Sequence, residues 1–111
     1  MPSAAQQDLL QGTLDMLILR VCASAPIHGY AVAQRLKLVS REALKVQQGS
    51  LYPALHRLEG RGLLKAEWKK TEAGREAKFY GLTKAGRARL AAEEEGWYRL
   101  SKAIGLVLKS S

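Results

Sequence analysis

A single cysteine, Cys22, rules out an intramolecular disulfide framework and any cysteine-based zinc cluster. No hydrophobic run is long enough to span a membrane: the most apolar stretch, LDMLILRVCASA, is broken by Asp15 and Arg20. No N-terminal segment has the pattern of a secretory leader, so a cytoplasmic protein without a membrane partner is expected. G-x-S-x-G elbows, Walker loops and dinucleotide fingerprints are all missing. The two histidines, His28 and His56, lack a cysteine partner, a paired carboxylate motif and H-E-x-x-H spacing, so no catalytic residue, metal site or cofactor is expected. Acidic residues are scarce, with 10 Asp+Glu against 18 Lys+Arg and a formal charge of +8. In a chain of 111 residues, one domain's worth, that excess points to an anionic partner, nucleic acid ahead of an anionic membrane surface. The bland alternative is a basic surface with no specific use. Nearly half the residues are apolar, which excludes a disordered polyelectrolyte.

What is present is helical periodicity, interrupted once. Residues 1–7 carry no pattern, and apolar positions then recur every three or four residues from Asp8 to about Ser24. Cys22 falls in register with Leu14, Leu17, Ile18 and Val21, the placement of a core thiol, with a redox sensor as the alternative. Pro26 ends this helix, and PIHGY reads as a short turn. A second helix is expected over about residues 29–39, with Val32, Ala33, Leu36 and Val39 inward and Gln34, Arg35 and Lys37 outward. REALKVQQ has no helical stripe and leaves room for a short extended segment near Lys45 to Gln47. A third helix starts near Gly49 or Ser50, with Leu51, Leu55 and Leu58 on one face, and ends at Gly60–Arg61–Gly62, where glycine suits a left-handed cap.

The period then changes from three or four to two. Leu64, Ala66 and Trp68 alternate with charged residues as in a half-buried strand. AKFYGL, residues 77–82, is a second strand, with Lys78, Tyr80 and Leu82 on one side and Ala77 and Phe79 on the other. TEAGRE connects the two and makes a hairpin. Thr83 is a good N-cap for a last helix running to Lys109. Leu90, Trp97 and Ile104 recur at seven-residue steps along it, widened by Leu100, Val107 and Leu108. The expected fold is mainly α with a small β-hairpin.

Pro53 sits inside the third helix, where a proline costs about 3 kcal/mol unless it lies in the first turn. With Ser50 as N-cap, Pro53 would be the third helical position and the helix would have a defined start. A defined start matters when the N-terminal end of a helix must be aimed, as in helix-turn-helix proteins, whose second helix meets base edges in the major groove. The order helix, helix, aimed helix, basic hairpin, long helix is that of a winged helix-turn-helix with the hairpin as wing. Residues 8–82 would form the DNA-binding domain and residues 83–109 a C-terminal dimerisation helix.

The runs GTLDMLIL, PIHGYAVAQRL, GSLYPALHRLEGRGLL and, after Trp68, GREAKFYGLTKAGR resemble, in order and spacing, the PadR-like transcriptional regulators. The resemblance covers about residues 9–100, and its specific parts are GSLYPALHRLE and KFYGLTKAG. It implies the compact branch of that family, whose single C-terminal helix serves dimerisation with the partner's first helix joining in. It further implies an aromatic or drug-like effector held between protomers, for which Trp97 is the stacking candidate; packing alone is the competing role.

On this reading Gln47, Gln48, Ser50, Tyr52, Pro53, His56 and Arg57 face DNA from the third helix and its approach. Arginine pairs with guanine and glutamine with adenine, each good pair discriminating by about 1–3 kcal/mol. Lys69, Lys70, Arg75 and Lys78 on the wing would touch backbone, with Glu72 and Glu76 weakening the local charge. Leu90, Trp97, Leu100, Ile104, Val107 and Leu108 would form the dimer interface, since so long a stripe exceeds what one small domain covers. Two recognition helices about 34–36 Å apart, or a multiple of that, would then read a two-fold double-stranded operator, making the chain a homodimeric repressor. A lone protomer, or Ser50 and Arg57 both buried against their own chain, would sink this reading. The runner-up is a winged-helix adaptor that binds protein instead, with Glu93–Glu94–Glu95 as its docking face.

Overall fold

Leu14, Ile18, Leu19 and Cys22 are buried along helix α1 (Gln11–Ser24), the central element of the domain. The structure, a computed structural model, describes residues 11–110. The expected first turn from Asp8 and the unpatterned residues 1–7 therefore lie outside the described residues. After α1 come β1 (Ile27–His28), α2 (Gly29–Val39), α3 (Gln48–Gly60), β2 (Leu64–Lys70), β3 (Glu76–Leu82) and α4 (Lys84–Lys109). Helix α1 packs against α2, α3, β3 and α4, which explains why its buried residues spread over more than one side.

The hairpin is part of a three-stranded antiparallel sheet ordered β1-β3-β2. The third strand lies where a turn was expected: Ile27 pairs with Tyr80 and His28 with Phe79. A two-residue strand is too short to show a period of two, and only its partner reveals it. His28 also starts α2, its Nδ1 accepting the Ala31 N–H at 3.4 Å while its ring meets Phe79 edge-on at 5.4 Å. That is a structural role for the imidazole.

Helix α2 has the expected span, with Val32 and Leu36 buried and Ala33 packed at the core's edge. Val39, expected inward, is 70 % exposed, because the helix ends there and the chain turns away. The connection to α3 is irregular; Gln47 is extended, at φ −77° and ψ 149°, but Lys45 to Gln47 form no paired strand. Arg41 and Glu42 are left-handed at φ 53° and 67°, costing roughly 1–2 kcal/mol each. The Glu42 N–H to Lys37 oxygen bond at 2.7 Å and the Leu44 N–H to Ser40 Oγ bond at 2.9 Å hold this turn.

Helix α3 ends in a Schellman cap at Gly62, φ 75°. The Leu63 N–H donates to the Leu58 oxygen and the Gly62 N–H to the Glu59 oxygen, each at 3.0 Å. Leu63 and Leu58, both buried, make the apolar contact that accompanies this cap. In the sheet, Leu64 pairs with Leu82 and Lys70 with Glu76, and Gly74, φ 82°, turns the hairpin. Burial fades along β2: Leu64 is buried, Ala66 partly so, and Trp68 is 65 % exposed. The strand outruns the domain body, so the expected half-buried alternation holds only at its base. Thr83 caps α4 as expected, its Oγ1 accepting the Gly86 N–H at 2.9 Å.

The core gathers Ile18, Leu19, Cys22, Val32, Leu51, Leu55, Leu58 and Leu64, all nearly solvent-free. Burial pushes the Cys22 thiol up to about 12. At pH 8 the native thiolate fraction is then about 10⁻⁴, far below that of a free cysteine. Iodoacetamide labelling at pH 8 is expected to run at least about a hundredfold slower in the native protein than in guanidinium, because only opened molecules react. Comparable rates in the two conditions would place Cys22 outside the core and restore the redox-sensor alternative.

Candidate nucleic-acid interface

Leu51, Ala54, Leu55 and Leu58 turn one face of α3 into the core, so the other face must look outward. Gln48, Gly49, Ser50, Pro53 and His56 are exposed on it, and Gln47 just before it. Tyr52 is at the border. Gly29 of α2 is buried beneath it, and a Cβ on Gly29 would stand 2.9 Å from Tyr52 Cε1 and 3.3 Å from Leu55 Cδ1. The ring thus packs partly on its own domain, and glycine is what lets α2 and α3 approach there.

The start of α3 differs from expectation. The helix begins at Gln48, with Gln47 as N-cap and no side-chain capping bond; the Ser50 and Leu51 N–H groups both donate to the Gln47 oxygen at 3.0 Å. Ser50 is therefore inside the first turn, not the cap. Pro53 becomes the sixth helical residue counted from Gln48. It has no N–H to offer the Gly49 carbonyl, and Gly49 is exposed, so water can satisfy that oxygen.

Arg57 is the main correction. Its Nη2 donates to Asp15 Oδ1 of α1 at 2.6 Å, and the two side chains are only 27 % and 13 % exposed. Its Nε is buried without a hydrogen-bond partner. Position 57 lies at the edge of the buried stripe, between Ala54 and Leu58, and the carboxylate at position 15 draws the guanidinium inward. Ser50 is exposed and Arg57 is tied to its own chain, so only one of the two is taken up internally.

The wing is basic and mostly open. Lys70 and Arg75 are exposed, and Lys69 lies 3.5 Å from Glu67 and 5.7 Å above the Phe79 ring. Lys78 is turned back instead, its Nζ donating to Glu59 Oε1 of α3 at 3.0 Å. That hydrogen bond raises the Lys78 pKa, ahead of smaller contributions from the neighbouring Tyr80. The sign follows from the proton: the pair's stabilisation is complete below the ordinary lysine range and fades only as pH climbs through the raised value. Arg41 and Lys45 before α3, and Arg61 and Lys65 after it, are exposed cations that flank the helix and were not among the expected DNA contacts. A scan for cations within a few residues of α3 would have found them.

Helix α4, about 39 Å long at 1.5 Å per residue, buries only Gly86 and Leu90. Leu90 is spent inside its own protomer, packed in the core. Trp97, Leu100, Ile104, Val107 and Leu108 continue the stripe into solvent, and Leu108 is 77 % exposed. Trp97 and Leu100 border a groove of about 330 Å³ with Gly12, Thr13 and Met16 of α1. The carboxylates of Glu93, Glu94 and Glu95 are each met by an arginine of the same chain: Arg89 at 3.0 Å, Arg20 at 3.7 Å and Arg99 at 2.9 Å.

An outward polar helix face, a basic hairpin beside it and a long uncovered helix find their match among known proteins. Residues 18–92 match the Transcriptional regulator PadR-like family. The chain belongs to that family. A transcriptional regulator of Mycobacterium tuberculosis is 38 % identical over 87 residues, covering 78 % of each chain. A PadR family regulator from Eggerthella lenta is 32 % identical, with a TM-score of 0.76 over 91 % of this chain and 86 % of that one. A PadR-like regulator from Bacillus cereus, at 24 % identity, shares the fold with a TM-score of 0.81 over 95 % of this chain and all of that one. This PadR-like chain is accordingly a winged helix-turn-helix, DNA-binding regulator of transcription and not an enzyme. No helix among its described residues is long and apolar enough to cross a membrane.

Proposed function

We propose that this PadR-like regulator is a homodimeric repressor that occupies a two-fold DNA operator in the cytoplasm. Residues 8–82 form the DNA-binding unit and residues 83–109 the dimerisation helix. The observation that carries the reading is the open face of α3, where Gln48, Ser50, Pro53 and His56 are exposed while the leucine stripe behind them is fully buried. Gln47, Gln48, Ser50 and His56 read base edges, and Tyr52 and Pro53 set the approach of the helix to the groove. Lys69, Lys70 and Arg75 hold the backbone from the wing. Arg57 and Lys78 drop out of the contacting set because Asp15 and Glu59 occupy them. An aromatic effector seated beside Trp97 would relieve repression by changing the spacing of the two reading helices. Glu93, Glu94 and Glu95 are each paired with an arginine of the same chain, so the adaptor alternative has no run of unpaired carboxylates to draw on.

The test is salt. Log K against log [salt] is expected to be linear, with a slope of about −0.9 for each phosphate neutralised. Lys70→Ala is expected to weaken all sequences alike and to lower the slope by about 1, whereas Ser50→Ala and His56→Ala narrow the gap between operator and random DNA. Binding that hardly changes from low to high salt would remove the backbone contacts on which the reading stands.

A further inference from the structure

Helix α3 carries two charged residues that reach sideways to other elements, and both lie in its C-terminal half. Arg57 bonds Asp15 of α1 across 42 residues of chain, and Glu59 bonds Lys78 of β3 across 19. Two positions along a helix correspond to about 200° of rotation, so the two side chains leave α3 on nearly opposite flanks. One flank is tied to the helix that borders the Trp97 groove, the other to a strand of the wing. Among the described residues, the N-terminal half, with Gln48, Ser50 and Tyr52, carries no such tie.

The leucine stripe of α3 decides which face is inward, but apolar contact is non-directional and tolerates roll and tilt. Charge-assisted hydrogen bonds are directional and fix both. The Asp15–Arg57 pair leaves Arg57 Nε without a hydrogen-bond partner among the described residues, which lowers what it can add to stability. In some proteins a partly buried pair of this kind specifies one geometry among several.

The geometry points to Asp15 and Glu59 as positioning residues for DNA recognition. Through Arg57 and Lys78 they set the angle at which α3 meets the duplex, without touching it. The inference rests on the operator-binding reading above and adds to it the residues that aim the helix. Arg57, an arginine on the recognition helix, aims that helix and does not read with it.

The experiment starts from a duplex selected from a randomised pool by the wild-type protein. Fluorescence anisotropy then gives affinities for that duplex and for a scrambled duplex of equal length, at one salt concentration. Asp15→Asn is expected to lower the selected-to-scrambled ratio about tenfold, all through the selected duplex, with scrambled affinity within about twofold of wild type. Glu59→Gln shifts the ratio the same way by less, and Asp15→Glu, which keeps the carboxylate, recovers most of it. Thermal melts establish that each variant is folded at the assay temperature, and should Asp15→Asn not be, the more exposed Glu59→Gln carries the test. An unchanged ratio in a folded variant overturns the inference and leaves operator binding standing. Tighter binding of both duplexes by Asp15→Asn overturns it too, since Arg57 would then be a DNA contact held in reserve. A pool in which wild type enriches no sequence brings down operator binding itself, and the aiming role with it.

Discussion

The double substitution Leu100→Glu, Ile104→Glu is expected to give a folded monomer that has lost about 10²- to 10⁴-fold in operator affinity. Both side chains are roughly half exposed in the single chain, so the protomer's core does not depend on them. In a dimer they would face another apolar surface, and an unpaired carboxylate buried there costs several kcal/mol. Affinity falls because the second half-site is no longer delivered by the first: tethering two modules multiplies binding without any new contact, and separating them forfeits the factor. Leu106→Glu supplies the control. Leu106 is 65 % exposed, yet it comes nine residues after Trp97, half a turn from the stripe at 3.6 residues per turn. A carboxylate there is expected to leave association intact. Sedimentation equilibrium reads the mass and circular dichroism the fold. A double variant that sediments as wild type would refute the α4 interface, and a Leu106→Glu monomer would place it on the opposite face.

The stripe on α4 was legible because it is long: a repeat sustained from Leu90 to Leu108 marks a face that one small domain cannot cover. Helix α2 and β3 were legible for a related reason, since each is bounded by residues with one local job, Pro26 ahead of α2, Gly74 at the turn before β3 and Thr83 as the cap after it. The start of α3 was misplaced because Ser50 is a better capping residue than Gln47, and capping preference is a local quantity. In the fold α3 starts at Gln48 without a side-chain cap, and Leu51 is fully buried, a tertiary contact that no local preference reports. The third strand was invisible because two residues have no period. The fate of Arg57 was invisible for a different reason. An arginine on the outer half of a recognition helix is a sound candidate for a base contact, and only the fold brings Asp15, 42 residues away, within 2.6 Å of it. Lys78 was diverted by Glu59 in the same way. Periodicity and capping thus carried the elements, while the partners of charged side chains had to wait for three dimensions. The open polar face of α3 belongs to the first group and the residues that aim it belong to the second.

Gly86→Ala is expected to destabilise the protein by about 3 kcal/mol, although the same change in most helices stabilises them by up to about 1 kcal/mol. Gly86 is buried in the first turn of α4, where its N–H is held by the Thr83 cap. A Cβ there would overlap the Leu63 carbonyl oxygen and stand 2.8 Å from Leu82 Cδ2. The leucine tip has some freedom to turn, but the carbonyl has none. The Leu63 oxygen accepts the Thr83 N–H at 3.2 Å, and the Leu63 N–H closes the Schellman cap of α3. Pushing that peptide away therefore disturbs the end of α3 and the start of α4 together. For a chain of this size the loss corresponds to roughly 10–20 °C in Tm, compared at equal protein concentration because the proposed dimerisation would add to apparent stability. Gly105→Ala gives the opposite sign within the same helix. Nothing lies within 4 Å of a Cβ at that position, so only the propensity gain remains, about 0.5–1 kcal/mol in favour of folding. Urea denaturation of the two variants side by side separates steric overlap from helix propensity. A Gly86→Ala protein as stable as Gly105→Ala would mean that α4 does not press against the β2 entrance as described, and that the long helix leaves the DNA-binding domain at a different angle.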